Sequence, residues 1–415
     1  NNNQWVSIKD TESWLCQPFI GVKATFLNNT VILTNYLDPI RYWDGTSSTI
    51  SPLTGAESYR CLDIESFATR LILLNTRESG MDCPQRVRWT TAGTINNFTE
   101  AYSGFADLVD TPGVIKNATK LGENLIIYKD DSIILCSYVG GRSVFGFDTR
   151  VTTKGLKASR CVVDMGSYHL FLDYDNIYKF DGGRDPKPVG ESIKDYLFSN
   201  INARYIDRSF AKRYGNEAWF WVPMYQEYPD TLLIYDTLRE TWTKSSLGAT
   251  SGGYYYDTSI VEIGDLIGTI GEQQGTIGEY ASMAIRPNIA CGDFYGNLYY
   301  ISNVYGSDCG QVIPSMWASG DFISLGEDHR PTYNRFRGIE LDAKGDTVDV
   351  EYSLDEGNTW VDVGRYALNS IKYTRERIGF DCWSDRIRIR ISNSQLGSSF
   401  FIRGYMIKFL KGVSN

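Results

Sequence analysis

The chain contains only two histidines in 415 residues, His169 and His329, and its eight cysteines include no Cys-x-x-Cys pair. Structural zinc sites are built from closely spaced cysteines and histidines, so this composition argues against a zinc site. The Gly-x-Ser-x-Gly turn of serine hydrolases is missing, and the glycine-rich segments at 268–271 and 275–278 lack the lysine of a phosphate-binding loop. We therefore predict that the protein has no catalytic residue, no metal and no cofactor and is not an enzyme.

Long apolar runs are also missing, because no stretch of 18 apolar residues occurs and no transmembrane helix is expected. Helical periodicity is confined to residues 192–201, where Ile193, Tyr196, Leu197 and Ile201 share one face. What the chain has instead is 39 glycines and 14% aromatic residues, a composition typical of many short strands joined by tight turns. The sequence thus predicts an all-β protein.

A segment recurs along the chain, since Ile40–Gly45 (IRYWDG) returns as Ile177–Gly182 (IYKFDG). A turn followed by an apolar strand also recurs, with starts at 28, 70, 122, 166, 215 and 264, which are 42 to 52 residues apart. The start at 70 has no recognisable turn before it, and a further start at 296 follows after only 32 residues. A four-stranded propeller blade takes about 40–50 residues. The pattern predicts a six-bladed β-propeller, or a seven-bladed one if residue 296 begins a short closing blade.

The pattern changes after a glycine- and proline-containing stretch between Cys309 and Arg330. Beyond it, strands such as 348–354 and 387–391 alternate apolar with charged residues, which indicates antiparallel sheets with one solvated face. We assign residues 1–319 to the propeller and residues 320–415 to a C-terminal β-sandwich.

One hairpin of the sandwich has a recognisable motif, Ser-x-Asp-x-Gly-x-Thr-Trp, and it resembles the Asp-box of sialidases and related propellers. Its members are Ser353, Asp355, Gly357, Thr359 and Trp360. We interpret the motif as a structural turn, in which Asp and Ser side chains bind turn amides and glycine adopts a positive φ.

A sialidase-like site would also need three convergent arginines and a tyrosine nucleophile with a glutamate partner. Arginines occur at 70, 86, 88 and 213, but their spacing does not group them. We interpret Arg86 and Arg88, and the alternating arginines 386, 388 and 390, as solvated strand faces or intersubunit contacts. The acidic segments 129–132 and 173–176 are interpreted as hairpin turns rather than calcium sites.

The net charge is −9, and residues 321–415 hold 14 basic and 14 acidic residues, so all of the net charge lies in the first 320 residues. Tight nucleic-acid binding requires clustered Lys and Arg, so DNA is expected to pass such a surface without binding to it. Cys136 and Cys161 lie in apolar runs and are expected to be buried, unpaired thiols, which favours assembly in a reducing compartment.

Residues 31–45 and 176–193, the hairpin at 355–360 and the C-terminal segment 401–405 resemble propeller proteins of bacteriophage tails. The family is the tail hub or nozzle of short-tailed phages, including the packaged-DNA stabilisation proteins. The resemblance implies a structural virion protein, assembled in the bacterial cytoplasm and located in the virion tail. It implies a homo-hexameric ring below the portal and head–tail adaptor protein, which continues and closes the DNA exit channel and anchors tail fibres or spikes.

A second hypothesis is a monomeric propeller that binds or cleaves glycans. The lack of a catalytic constellation favours the ring.

Overall fold

The computed structural model describes residues 7–9, 21–255, 288–301, 307–308, 310–323 and 331–411. Two compact units divide the chain, Asn1–Ile301 and Ser302–Asn415.

The first unit contains five four-stranded antiparallel sheets, each made of four consecutive strands paired in chain order. We number them as blades 1 to 5. Their strands are β1 (Lys23–Leu27), β2 (Thr30–Thr34), β3 (Arg41–Trp43) and β4 (Ser51–Pro52); β5 (Tyr59–Phe67), β6 (Arg70–Glu78), β7 (Met81–Trp89) and β8 (Gly104–Asp107); β9 (Ile115–Leu121), β10 (Asn124–Lys129), β11 (Ile133–Gly140) and β12 (Val144–Val151); β13 (Val162–Asp164), β14 (His169–Leu172), β15 (Ile177–Phe180) and β16 (Lys187–Pro188); β17 (Phe210–Tyr214), β18 (Glu217–Val222), β19 (Thr231–Asp236) and β20 (Thr241–Ser245).

A sixth sheet, blade 6, has three strands among the described residues: β21 (Ser251–Tyr255), β22 (Asn288–Gly292) and β23 (Leu298–Tyr300). The turn at Gly296 joins β22 to β23 and therefore lies inside this blade. The repeat start predicted at Gly264 and the glycine-rich segments at 268–278 lie outside the described residues.

The first strands of successive blades contact one another, from β1 to β5, β9, β13, β17 and β21 in turn. Sheets that follow one another in sequence and meet at their first strands define a radial repeat, which is the arrangement of a β-propeller. The predicted fold class is confirmed, and six blades are present in the part of the chain that the structure describes.

The second strand of a blade is covered on both faces by the neighbouring blades, and β10, β14 and β18 are buried along nearly their whole length. A strand covered on both sides reads as a continuous apolar run. This burial explains why Leu125–Ile127, Leu170–Leu172 and Trp219–Trp221 are such uniform sequences.

The repeat at residue 70 does have a turn, formed by Ala68 and Thr69 with φ of 47° and 58°. Asn28 and Asn29 make the equivalent turn of blade 1 with φ of 51° and 57°. Two-residue hairpin turns with positive φ favour Asn and Gly, so an Ala-Thr pair gives no sequence signal for one.

One α-helix, α1 (Lys194–Asn200), lies within the segment predicted to be helical and buries Leu197 against the propeller core. A single 3₁₀ turn follows at Ile206–Arg208. Among the described residues, no helix has both the length and the apolar character that crossing a membrane requires.

The second unit contains two sheets whose apolar residues share one core, so it is a β-sandwich, as predicted. A separate two-residue hairpin precedes them. The strands are β24 (Ser307–Asp308), β25 (Gln311–Val312), β26 (Ser315–Ala318), β27 (Phe322–Ile323), β28 (Asn334–Gly345), β29 (Thr347–Ser353), β30 (Val361–Ala367), β31 (Thr374–Ser384), β32 (Arg386–Asn393) and β33 (Phe400–Leu410).

One sheet has the order β26-β32-β29-β30, with β27 also paired to β32, and the other has the order β31-β28-β33. Strand β26 precedes the domain boundary that we set between residues 319 and 320, yet it pairs with β32 of the sandwich. The short segment gave no alternating pattern long enough to reveal it.

Candidate functional site

Polar side chains from the inner strands meet at the centre of the propeller. The Lys23 ammonium on β1 lies 3.4 Å from the Asp63 carboxylate on β5 and donates to the Ser159 carbonyl, at 3.3 Å, just before β13. The Asp63 carboxylate accepts the Ala118 amide of β9 at 2.7 Å, and the Asn117 side-chain amide also donates to Ser159, at 3.0 Å. Blades 1 to 4 are therefore joined across the axis by direct bonds.

A second part of this centre is basic. The Arg160 guanidinium donates to the carbonyls of Thr250, at 3.2 Å, and Arg208, at 2.8 Å. Burial lowers the pKa of Lys212 on β17 to about 8, and the nearby charges of Lys23 and Arg160 lower it further. Burial raises the pKa of Asp63, against the opposing effect of Lys23.

The predicted Asp-box residues form the hairpin between β29 and β30. The Asp355 carboxylate accepts hydrogen bonds from the Ser353 hydroxyl (2.7 Å), the Thr359 amide (2.8 Å) and the Thr359 hydroxyl (2.6 Å). The Ser353 hydroxyl oxygen accepts the Gly357 amide at 2.9 Å, and Gly357 has a φ of 92°. The bonds from Thr359 and Ser353 lower the pKa of Asp355 to about 2. A carboxylate engaged in this way holds a turn and is a poor proton donor.

Strand β32 presents a row of paired arginines. Arg386 pairs with Glu356, Arg388 with Asp321 and Arg390 with Glu351. The Arg388 pair is bidentate, with nitrogen–oxygen distances of 2.9 and 3.0 Å. Because the pairs balance their own charge, this face carries no excess of basic charge for DNA.

The arginines of the sialidase hypothesis do not converge as a set. Arg86 and Arg88 share Glu78, at 3.1 and 2.7 Å. Arg70 donates instead to the backbone carbonyls of Thr90 and Tyr102, and the Nε of Arg213 donates to the Gly215 carbonyl.

The two acidic segments form turns inside blades 3 and 4. Asp173 donates its amide to the Asn176 carbonyl at 2.9 Å, and Lys129 donates its amide to the Ser132 carbonyl at 2.9 Å. Burial raises the pKa of Asp173 to about 6. In the part of the chain that the structure describes, no group of three His, Cys, Asp or Glu side chains is placed to hold a metal ion.

His169 is completely buried on β14. Its Nε2 lies 2.8 Å from the Lys120 carbonyl, which can only accept, so Nε2 donates and Nδ1 accepts the Tyr128 hydroxyl at 2.9 Å. Burial also lowers the pKa of His169, which keeps the ring neutral. His169 is therefore a packed residue, and His329 lies outside the described residues.

An exposed aromatic cluster was not predicted from the sequence. Tyr228 stacks on Phe294 with ring centroids 4.7 Å apart, and Phe294 meets Tyr295 edge-on at 5.8 Å. Phe294 and Tyr295 are 62% and 80% exposed. Their loops, in blades 5 and 6, are about 65 residues apart in sequence, so no local motif signals the cluster.

No protein-family model matches the sequence, and no curated protein matches it. Several solved structures resemble the chain at low identity. YCF48 from Cyanidioschyzon merolae has a TM-score of 0.38 at 10% identity, covering 68% of this chain and 84% of its own. BamB from Moraxella catarrhalis has a TM-score of 0.32 at 6% identity, covering 55% and 74%.

An exo-β-1,3-galactanase from Phanerochaete chrysosporium, solved with galactose, covers 98% of this chain and 100% of its own, with a TM-score of 0.31 at 11% identity. None of these three scores reaches 0.5, so the fold assignment rests on the strand order itself. The strand order defines the class of protein, a six-bladed propeller joined to a β-sandwich.

Proposed function

We propose that the protein is a structural virion component, the tail nozzle or hub ring of a short-tailed phage, with no catalytic activity of its own. The observation that carries the proposal is the centre of the propeller. Lys23 reaches Ser159 from the opposite side of the axis, and Asp63 binds the Ala118 amide beside it. A propeller bridged in this way is not itself a conduit for DNA, so a DNA channel would have to lie between several copies of the chain.

The charge distribution agrees with a channel lining. The first 320 residues carry the whole net charge of −9, and the arginine row of the sandwich is neutralised by its own carboxylates. DNA would pass such a ring by repulsion rather than by adhesion during ejection. The copies would meet through blade loops and the sandwich, because a propeller leaves few open sheet edges.

Cryo-electron microscopy of the parent particle tests this proposal. We expect six copies around the tail axis below the adaptor protein, with fibres or spikes attached outside. A single copy at the periphery of the particle, away from the axis, would refute the ring.

A second candidate, a glycan-binding propeller, is favoured by the exposed aromatic cluster of Tyr228, Phe294 and Tyr295. Flat aromatic faces in water suit the apolar face of a sugar ring. A glycan array with the full chain and with Phe294→Ala tests it: binding lost in the variant would promote this candidate, and turnover of a bound glycan would make the protein an enzyme.

A further inference from the structure

We propose that the centre of the propeller holds a site for a small oxyanion, bound by Lys212 together with Lys23 and Arg160. The inference does not depend on the ring, because it concerns one propeller alone.

Lys212 is the group that lacks a counter-charge. It lies on β17, the inner strand of blade 5, and is largely buried. Within the described part of the chain, its ammonium has no carboxylate partner and no hydrogen-bond acceptor. Its stabilising contact is the ring of Tyr254, whose centroid is 5.6 Å away. A cation–π contact of this length compensates little of the cost of burying an ammonium group.

The neighbours of Lys212 increase its need for an anion. Lys23 and Arg160 both act on it as positive charges. Asp63 is the carboxylate nearest to this group, but it is already bound by Lys23 and by the Ala118 amide. The centre therefore has three cationic side chains and one engaged carboxylate.

Space for a ligand is provided by the facing strand β21. A Cβ on Gly252 would lie 3.7 Å from Cγ of Lys212 and 3.1 Å from Cε2 of Phe210, so glycine leaves this volume without side-chain atoms. The next residue, Gly253, has no heavy atom within 4 Å of the position of a Cβ. An anion of a few atoms fits such a gap, whereas the bonds from Lys23 to Ser159 exclude a larger one.

The proposed contacts are charge-assisted hydrogen bonds from the Lys212 and Lys23 ammonium groups, with Arg160 contributing its charge. Binding would also keep Lys212 protonated, because an anion offsets the burial that lowers its pKa. Phosphate and carboxylate share this chemistry, and the two are separated by comparing inorganic phosphate with acetate.

The test is calorimetric titration of the full chain at neutral pH with inorganic phosphate or acetate, at constant ionic strength in chloride. Loss of one charge-assisted contact is expected to weaken binding about tenfold in Lys212→Met. Lys187→Met, at an exposed position on β16, is the matched control and should bind as the wild type does. Equal phosphate and acetate affinity in Lys212→Met and wild type, or no binding of either anion by wild type, overturns the proposal.

A second measurement needs no variant. Acetylation of lysines is followed by mass spectrometry with and without phosphate in the wild-type chain. Phosphate or acetate should slow modification at Lys212 but leave Lys187 unaffected. Equal protection at both lysines would contradict a site at the axis.

Discussion

Gly357 carries the tightest backbone requirement of the Asp-box hairpin, with a φ of 92°. A Cβ there would also lie 3.1 Å from Nη1 of Arg388 and 3.4 Å from Cζ2 of Trp360. We expect Gly357→Val to destabilise the sandwich by about 1–3 kcal/mol, because a β-branched residue is strained at positive φ. The measurement is the shift of the urea unfolding midpoint.

Gly379→Val is the control, since Gly379 lies in strand β31 and a Cβ there meets nothing within 4 Å. If both variants unfold at the wild-type midpoint, the turn does not constrain the sandwich.

Lys212 predicts a dependence of stability on alkaline pH. Its pKa in the folded chain is about 8, below the unfolded value of about 10.4, so the unfolded state holds more protons between these values. Stability contributed by this group therefore rises as the pH is raised from about 8 to about 10. The groups that face it are Lys23, Arg160, the Cys291 thiol and the ring of Tyr254.

Thermal melting of the wild type and of Lys212→Met over this pH range isolates the effect. The variant should be the more stable protein near pH 7, and the difference should shrink toward pH 10. A difference that stays constant with pH would show that Lys212 titrates normally.

At this scale, local motifs were predictable and distant contacts were not. Ser353, Asp355 and Gly357 are within five residues of one another, so their spacing reveals the turn. Lys23 and Ser159 are 136 residues apart and meet only because blades 1 and 4 face each other across the axis. A sequence without homologues carries no signal for such a pair.

Among the elements, the inner strands β1, β5 and β9 depend on Asp63. Its carboxylate binds Lys23 and the Ala118 amide, and its side chain is only 5% exposed. We expect Asp63→Ala to destabilise the propeller by about 3 kcal/mol, because a buried cation and a buried amide lose their partner together. Chemical unfolding measured by tryptophan fluorescence follows the change.

Asp82→Ala removes a carboxylate from an exposed pair with Arg77, 65% and 51% exposed, and should change stability by less than about 0.5 kcal/mol. If Asp63→Ala is as mild as Asp82→Ala, the axial bonds do not stabilise the propeller.

Elements with a strong period were predictable from the sequence, and short or atypical ones were not. The second strands of the blades are uniformly apolar because two neighbouring blades cover them. Helix α1 follows from four apolar residues on one face. The four residues of β26 alternate too briefly, and the Ala68-Thr69 turn uses residues that rarely adopt positive φ.

For the whole molecule, we predict no salt-sensitive affinity for duplex DNA. The chain carries a net charge of −9, and the arginines of β32 are neutralised by Glu356, Asp321 and Glu351. Binding measured by fluorescence anisotropy should be undetectable at about 50 mM as well as at about 200 mM salt, because a basic groove would bind far more tightly at the lower salt.

A basic DNA-binding protein measured in parallel provides the positive control. Affinity of this chain that falls steeply with salt would instead indicate a phosphate-contacting surface, and it would argue against a channel that DNA slides through.

The bonds that cross the propeller axis also determine how the molecule opens. Blade 1 cannot separate from blades 2 and 4 unless Lys23 leaves both Asp63 and Ser159, and blade 3 is held to blade 2 by the Ala118 amide. Local opening of a single blade is therefore coupled to its neighbours, and these four blades form one cooperative unit. In hydrogen exchange, the Ala118 amide should exchange with the slowest class of protons, whereas the outer strand β8, at the edge of blade 2, exchanges early.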